Sequence, residues 1–210
     1  MTRIYAMDPK AMYKLSYGLF VLTAKNDDKD NGCITNTAIQ VTSEPNRIAV
    51  AVNKANFTHD MIMASRSFNV SIISQEANFE LFKRFGFQSG RNVDKFDGFA
   101  SAQRAANGIL YVTEGTNAFI SADVQQTVDI GTHTLFIGAV SDLDVLSGAS
   151  SATYEYYQSH IKPKPQPKSE SAGKTVWRCK ICGYEYVGDE LPADFICPVC
   201  KHPASDFEKV

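Results

Sequence analysis

Four cysteines near the C-terminus have the types and spacing to hold a metal ion. Cys179 and Cys182 form one Cys-x-x-Cys pair, and Cys197 and Cys200 form a second after fourteen intervening residues. Each pair can fold as a tight knuckle that aims two thiolates at one ion, and Gly183 supplies the positive φ that such a turn needs. Four thiolates around one ion make a tetrahedral sulfur site suited to zinc or iron, and spacing alone does not choose between them. Paired disulfides are disfavoured. The N-terminus has no apolar run of signal-peptide length, so a reducing compartment and a cytoplasmic location are expected.

The residues around the knuckles resemble rubredoxin: Cys-x-x-Cys-Gly-Tyr-x-Tyr, Gly188-Asp189, Leu-Pro-x-Asp-Phe-x-Cys-Pro-x-Cys and a terminal Phe207. On that resemblance Cys179, Cys182, Cys197 and Cys200 hold one iron, with zinc as the substitute, and Trp177, Tyr184, Phe195 and Phe207 form a small aromatic core beside it. Two features depart from the longer rubredoxins. The segment between the pairs is about half their length, and Lys201 replaces a glycine, as in the short rubredoxin domains fused to other redox proteins such as rubrerythrin.

A metal of this kind needs elements upstream to load it. Pro163, Pro165 and Pro167 alternate with polar residues in 162–173, so this stretch favours an extended polyproline tether between residues 1–161 and 174–210. Residues 1–161 read mainly as β-strands with short helices. Strands are expected over 18–24, 47–53, 67–74, 117–130 and 132–140, from β-branched and aromatic runs between polar turns. Asp27 to Gly32 reads as a hairpin turn ending in Asn-Gly. Helices are expected over 58–65, with Thr58 as cap, and over 78–85, with Phe79, Phe82 and Phe85 packing on one face. Many strands with few interleaved helices favour an antiparallel barrel, and no Gly-x-Gly-x-x-Gly is present to suggest a dinucleotide-binding sheet. The formal net charge of −2 and the lack of a basic face exclude nucleic acid as an expected partner. No apolar run is long enough to span a membrane as a helix.

A four-thiolate iron moves single electrons, whereas nicotinamides deliver hydride; a flavin is the common adapter between them. Residues 1–161 are similar to the flavin reductase-like family, whose fold is an FMN-binding split β-barrel. The matching stretches are Gly32-Cys-Ile-Thr-Asn-Thr-Ala38, Val41-Thr-Ser-Glu-Pro45, Val52-Asn-Lys-Ala-Asn-Phe-Thr-His59, Phe68-Asn-Val-Ser71, Phe87-Gln-Ser-Gly-Arg-Asn-Val-Asp-Lys-Phe96 and His133-Thr-Leu-Phe-Ile-Gly138. With the tail, the whole chain resembles the high-molecular-weight rubredoxins, which pass NAD(P)H electrons through FMN to iron and on to a flavodiiron protein.

The resemblance implies that Thr35, Asn36 and Thr37 line the isoalloxazine, and that Asn53, Lys54, Thr58 and His59 bracket the ribityl chain and phosphate. It further implies that Ser89, Gly90, Arg91 and Lys95 donate to the phosphate, that His133 positions the nicotinamide, and that two copies form a homodimer. Cys33 reads as a small buried hydrophobe, and Tyr154, Tyr156 and Tyr157 pack on the barrel or shape a dimer contact. Two other functions fit parts of the chain. One is a flavin reductase supplying a monooxygenase, with a zinc-bound docking tail. The other is a non-catalytic binding protein built on a zinc ribbon.

Overall fold

In the computed structural model, residues 8–163, 175–180, 183–197 and 202–210 are described. The expected linker therefore lies almost wholly outside the described residues. A short 3₁₀ turn, Pro9–Lys14, precedes β1 (Phe20–Asn26), β2 (Lys29–Thr35), β3 (Ala38–Ser43) and β4 (Asn46–Asn53). Helix α1 (Phe57–Ser65), β5 (Ser67–Ile73) and α2 (Phe79–Gly86) follow. A short hairpin of β6 (Ala102–Arg104) and β7 (Leu110–Val112) leads to the long β8 (Thr116–Asp129) and β9 (His133–Val145). One helical passage, α3 (Tyr154–Tyr156) running into a π-turn at Tyr157–Ile161, closes the first unit.

Seven strands form one antiparallel sheet in the order β2-β1-β5-β8-β9-β4-β3. Its two edge strands, β2 and β3, are separated in sequence by Asn36 and Thr37 alone, so the sheet must curl until its edges come together at that seam. The result is an open, split barrel. Alternation along β1 divides two cores. Phe20, Leu22 and Ala24 point inward to Val50, Val52, Ile62, Phe68 and Phe136, while Leu19 and Val21 point outward to Leu81, Phe82 and Phe85.

Helix α1 plugs the barrel through Thr58, Met61 and Ile62, an i, i+3, i+4 stripe. It starts one residue earlier than the sequence suggests, and Asn56, in extended conformation, takes the cap position expected for Thr58. Asn78 caps α2 by accepting from the Leu81 N–H at 3.2 Å. The Phe stripe packs as expected: Phe82 and Phe85 are buried in the outer core with Phe79 against them, and Tyr157 covers Phe82 at 4.4 Å.

The second unit is a three-stranded sheet ordered β11-β10-β12, from β10 (Val176–Cys179), β11 (Glu185–Val187) and β12 (Phe207–Lys209). Its core is Cys179, Cys197 and Phe207, with Trp177, Tyr184, Tyr186 and Phe195 against them. The aromatic cluster anticipated from sequence is therefore present, with Tyr186 added. Among the described residues, no helix is long and apolar enough to cross a membrane.

Candidate functional site

A cavity of about 290 Å³ opens beside the barrel, where β2, the start of α1 and the loop after α2 meet. Asn31 and Cys33 come from β2, Asn56, Phe57 and Thr58 from the α1 entry, and Phe87, Gln88, Ser89, Gly90 and Lys95 from the loop. Thr58, Ser89, Gly90 and Lys95, separated by up to 37 positions in sequence, thus share one wall.

The cavity is built around buried polar groups. Asn31 is 2% exposed; its Nδ2 donates to Thr58 Oγ1 at 2.9 Å, and its Oδ1 has no partner. A hydroxyl can donate or accept, so the Asn31 amide can turn either its carbonyl or its NH₂ toward a bound group while keeping Thr58. Gly90 lies directly over this amide, and a Cβ there would collide with it. An unsatisfied amide beside a cavity, beneath a glycine whose Cβ would meet it, fits a site that receives a polar ligand.

Lys95 is also buried, with Nζ donating to Gly32 O at 2.9 Å and to Phe85 O at 3.0 Å. It therefore pins β2 to the last turn of α2. Burial pulls its ammonium down to about 8, against the nearby Cys33. Burial pushes the Cys33 thiol up, against a hydrogen bond with Thr58 and the charge of Lys95, so it stays protonated at neutral pH.

The remaining residues singled out by sequence lie around the cavity or away from it. Thr35 stands two residues beyond Cys33 on the same face of β2, about 7 Å along the strand. Its Oγ1 lies 3.1 Å from Thr37 Oγ1, and Thr37 donates to Ala51 O at 2.9 Å, so Thr35, Asn36 and Thr37 form the barrel seam. Arg91 sits at the rim, paired with Asp60 at 2.5 Å and stacked 5.0 Å over the Phe57 ring. Lys54 pairs instead with Asp129 at 2.7 Å. His59 is wedged into the barrel, its Nε2 2.9 Å from Thr134 Oγ1. Asn53 and His133 face each other at the end of the β4–β9 ladder, and His133 Nδ1 meets Thr132 Oγ1 at 2.9 Å. None of Lys54, His59, Asn53 and His133 lines the cavity. Sequence reasoning did not assign Asn31, Asn56, Phe57 or Phe87 to this site; the run Val52–His59 held the signal for two of them.

In the tail, Cys179 and Cys197 are 1% and 0% exposed; Cys182 and Cys200 lie outside the described residues. The two halves close alike. Cys179 N–H donates to Tyr184 O and Cys197 N–H to His202 O, each five residues on and each at 2.8 Å. Gly183 returns its N–H to Cys179 O with φ of 76°, as the knuckle requires. Buried first cysteines, each with its N–H bonded to the carbonyl five residues on, fit a four-thiolate metal site.

Comparison with known proteins agrees with both units. The flavin reductase like domain model matches residues 12–164, and the rubrerythrin, rubredoxin-like domain model matches 177–208. A high molecular weight rubredoxin from Moorella thermoacetica is 38% identical over 97% of this chain and 100% of its own length. A ferric-chelate reductase (NAD(P)H) from Archaeoglobus fulgidus is 40% identical over 75% of this chain and 92% of its own. Among solved structures, an FMN-binding protein from Thermus thermophilus superposes with a TM-score of 0.61 at 22% identity, over 92% of this chain and 98% of that one. At that identity it supports the fold.

Proposed function

Because the chain belongs to the flavin reductase-like family and, over 97% of its length, to the high-molecular-weight rubredoxins, we propose that it oxidises NAD(P)H and hands the electrons singly to a separate acceptor, using FMN at the barrel and one iron in the tail. A bound flavin accepts a hydride and gives up electrons one at a time, which is what a four-thiolate iron can carry. The observation that carries this reading is the pairing, in one chain, of a polar barrel cavity with a tail that buries Cys179 and Cys197, the first cysteine of each Cys-x-x-Cys pair.

In this reading Thr58, Ser89 and Gly90 form the phosphate end, at the first turn of α1, where a helix N-terminus favours an anion. Asn31 supplies the adjustable amide, and Lys95 the nearby positive charge. The face of β2 running from Asn31 through Cys33 to Thr35 extends the site toward Asn36 and Thr37 at the seam, where the ring system fits. Asn53, Lys54, His59 and Arg91 hold the surrounding loops. His133 positions the nicotinamide; hydride transfer needs no acid–base group, so its contribution is orientation. Cys179, Cys182, Cys197 and Cys200 hold the iron, and their sulfurs are screened by the aromatic core.

A flavodiiron-type protein is the acceptor this reading favours. Two copies pair through the barrel, which exposes Ile39 and Val41 on one face of β3. Flavin retention and metal content of the purified chain test the reading: one FMN and one iron per chain support it. Freely exchanging flavin with zinc would support a reductase that supplies a monooxygenase, a role related to the resorcinol hydroxylase reductase component from Rhizobium that is 30% identical over 64% of this chain.

A further inference from the structure

Two units joined by a tether can meet through a defined surface or move independently. Among the described residues, contacts at three places join the units. Phe87, at the end of α2, packs against the cluster of Cys179, Cys197 and Phe207. His202, two positions after Cys200 in sequence, lines the same cavity as Asn31, Cys33, Thr58 and Ser89. Gly183, which follows Cys182 in sequence, lies against the Lys162 side chain, at the barrel's end of the linker. Gly183 and His202 each closely follow, in sequence, the second cysteine of a pair.

We infer that the loop Gly86–Gly90 is the docking surface for the chain's own cysteine domain, with Phe87 as its apolar contact and His202 over the cavity. This rests on the cavity holding the flavin and sets the iron domain at the cavity's phosphate end. Phe87 suits the task because its ring is backed by Phe79 at 5.7 Å, so it is held out from the helix end. A contact between two domains of one chain is of the kind that forms and releases. The tether makes tight binding unnecessary by keeping the domain at high effective concentration. Electrons balance across it: one NAD(P)H reduces two ferric centres to ferrous and releases NAD(P)⁺ and one proton. A chain with a single iron therefore takes the second electron after the acceptor has removed the first.

Small-angle X-ray scattering of the full chain, loaded with FMN and iron, tests this. The wild type is expected to scatter as one compact particle. Phe87→Glu sets a carboxylate against the cysteine cluster and is expected to release the domain, adding on the order of 10 Å or more to the maximum dimension, since the twelve-residue linker reaches about 37 Å at about 3.1 Å per residue. His202→Glu, which keeps the backbone bond to Cys197, is expected to lengthen the particle in the same direction and serves as the test should Phe87→Glu misfold by circular dichroism. A wild type already extended as two separate bodies, or folded variants with the wild-type shape, would overturn the docking surface. Flavin absorbance in the same samples separates the two claims: a compact chain without flavin keeps the docking and removes the flavin reading, and an extended chain with flavin does the reverse.

Discussion

Lys95 gives the sharpest quantitative handle on the cavity. The residue is 4% exposed, and its ammonium is held between the carbonyls of Gly32 and Phe85. The drop from 10.5 to about 8 corresponds to about 3 kcal/mol at about 1.4 kcal/mol per unit. The folded pKa lies below the unfolded one, so between those two values the unfolded chain holds more protons and stability rises with pH. The cost of burying the charge is fully present below pH 8 and is relieved as pH climbs. Lys95→Met removes the titrating group while keeping the length of the side chain. Urea unfolding of flavin-free protein, followed by circular dichroism from pH 7.5 to pH 10, is expected to show the wild type gaining about 1–3 kcal/mol relative to Lys95→Met across that window. Added FMN is expected to shrink the gain, because a nearby phosphate dianion favours the charged ammonium. A wild type whose stability relative to Lys95→Met stays constant or falls with rising pH in the flavin-free protein would refute the reasoning.

Three further outcomes follow from the same geometry. Gly90→Ala drives a methyl into the Asn31 amide and is expected to weaken FMN binding at least about tenfold while costing about 1–3 kcal/mol of stability; fluorescence titration reads the first and urea unfolding the second. Cys179→Ser removes a buried thiolate and is expected to abolish iron binding and unfold the tail, because metal binding there is also folding energy. Metal analysis and amide exchange over residues 175–210 check it, with the barrel's thermal transition unmoved. Phe68→Ala, at a side chain with no exposed surface inside the barrel, is expected to cost about 3–5 kcal/mol, read as a lowered Tm.

Much of the architecture is legible because it rests on side-chain periodicity. Strands β1, β4, β5, β8 and β9 alternate or run apolar in ways that only a sheet explains, and the knuckle residues announce themselves by spacing. The misread segment is instructive. Asn31-Gly32 looks like a hairpin turn, yet the turn is Asp27-Asp28, where Asp27 takes φ of 52°, and Asn31-Gly32 lies within β2 opposite Ala24 and Thr23. Glycine stands in this strand because the Phe85 ring comes within 3.1 Å of where its Cβ would be, and Asn31 turns inward to meet Thr58. Both reasons are tertiary and leave no local signature. Strand β3 escaped for the opposite reason: it is an edge exposed from Ile39 to Ser43, so its apolar residues face no core. The Thr58 cap was misplaced by two residues because both Asn56 and Thr58 are good capping types. Packing decided between them, sending the Thr58 hydroxyl to Asn31.

Anaerobic titration of the purified full chain with NADH and NADPH, followed by visible absorbance, tests the central claim most directly. The account predicts overlapping flavin and ferric-thiolate bands that both bleach on addition of nicotinamide, the iron bands with them and not after an added mediator. A protein whose flavin bleaches while the ferric bands persist, or a colourless zinc protein, would contradict it.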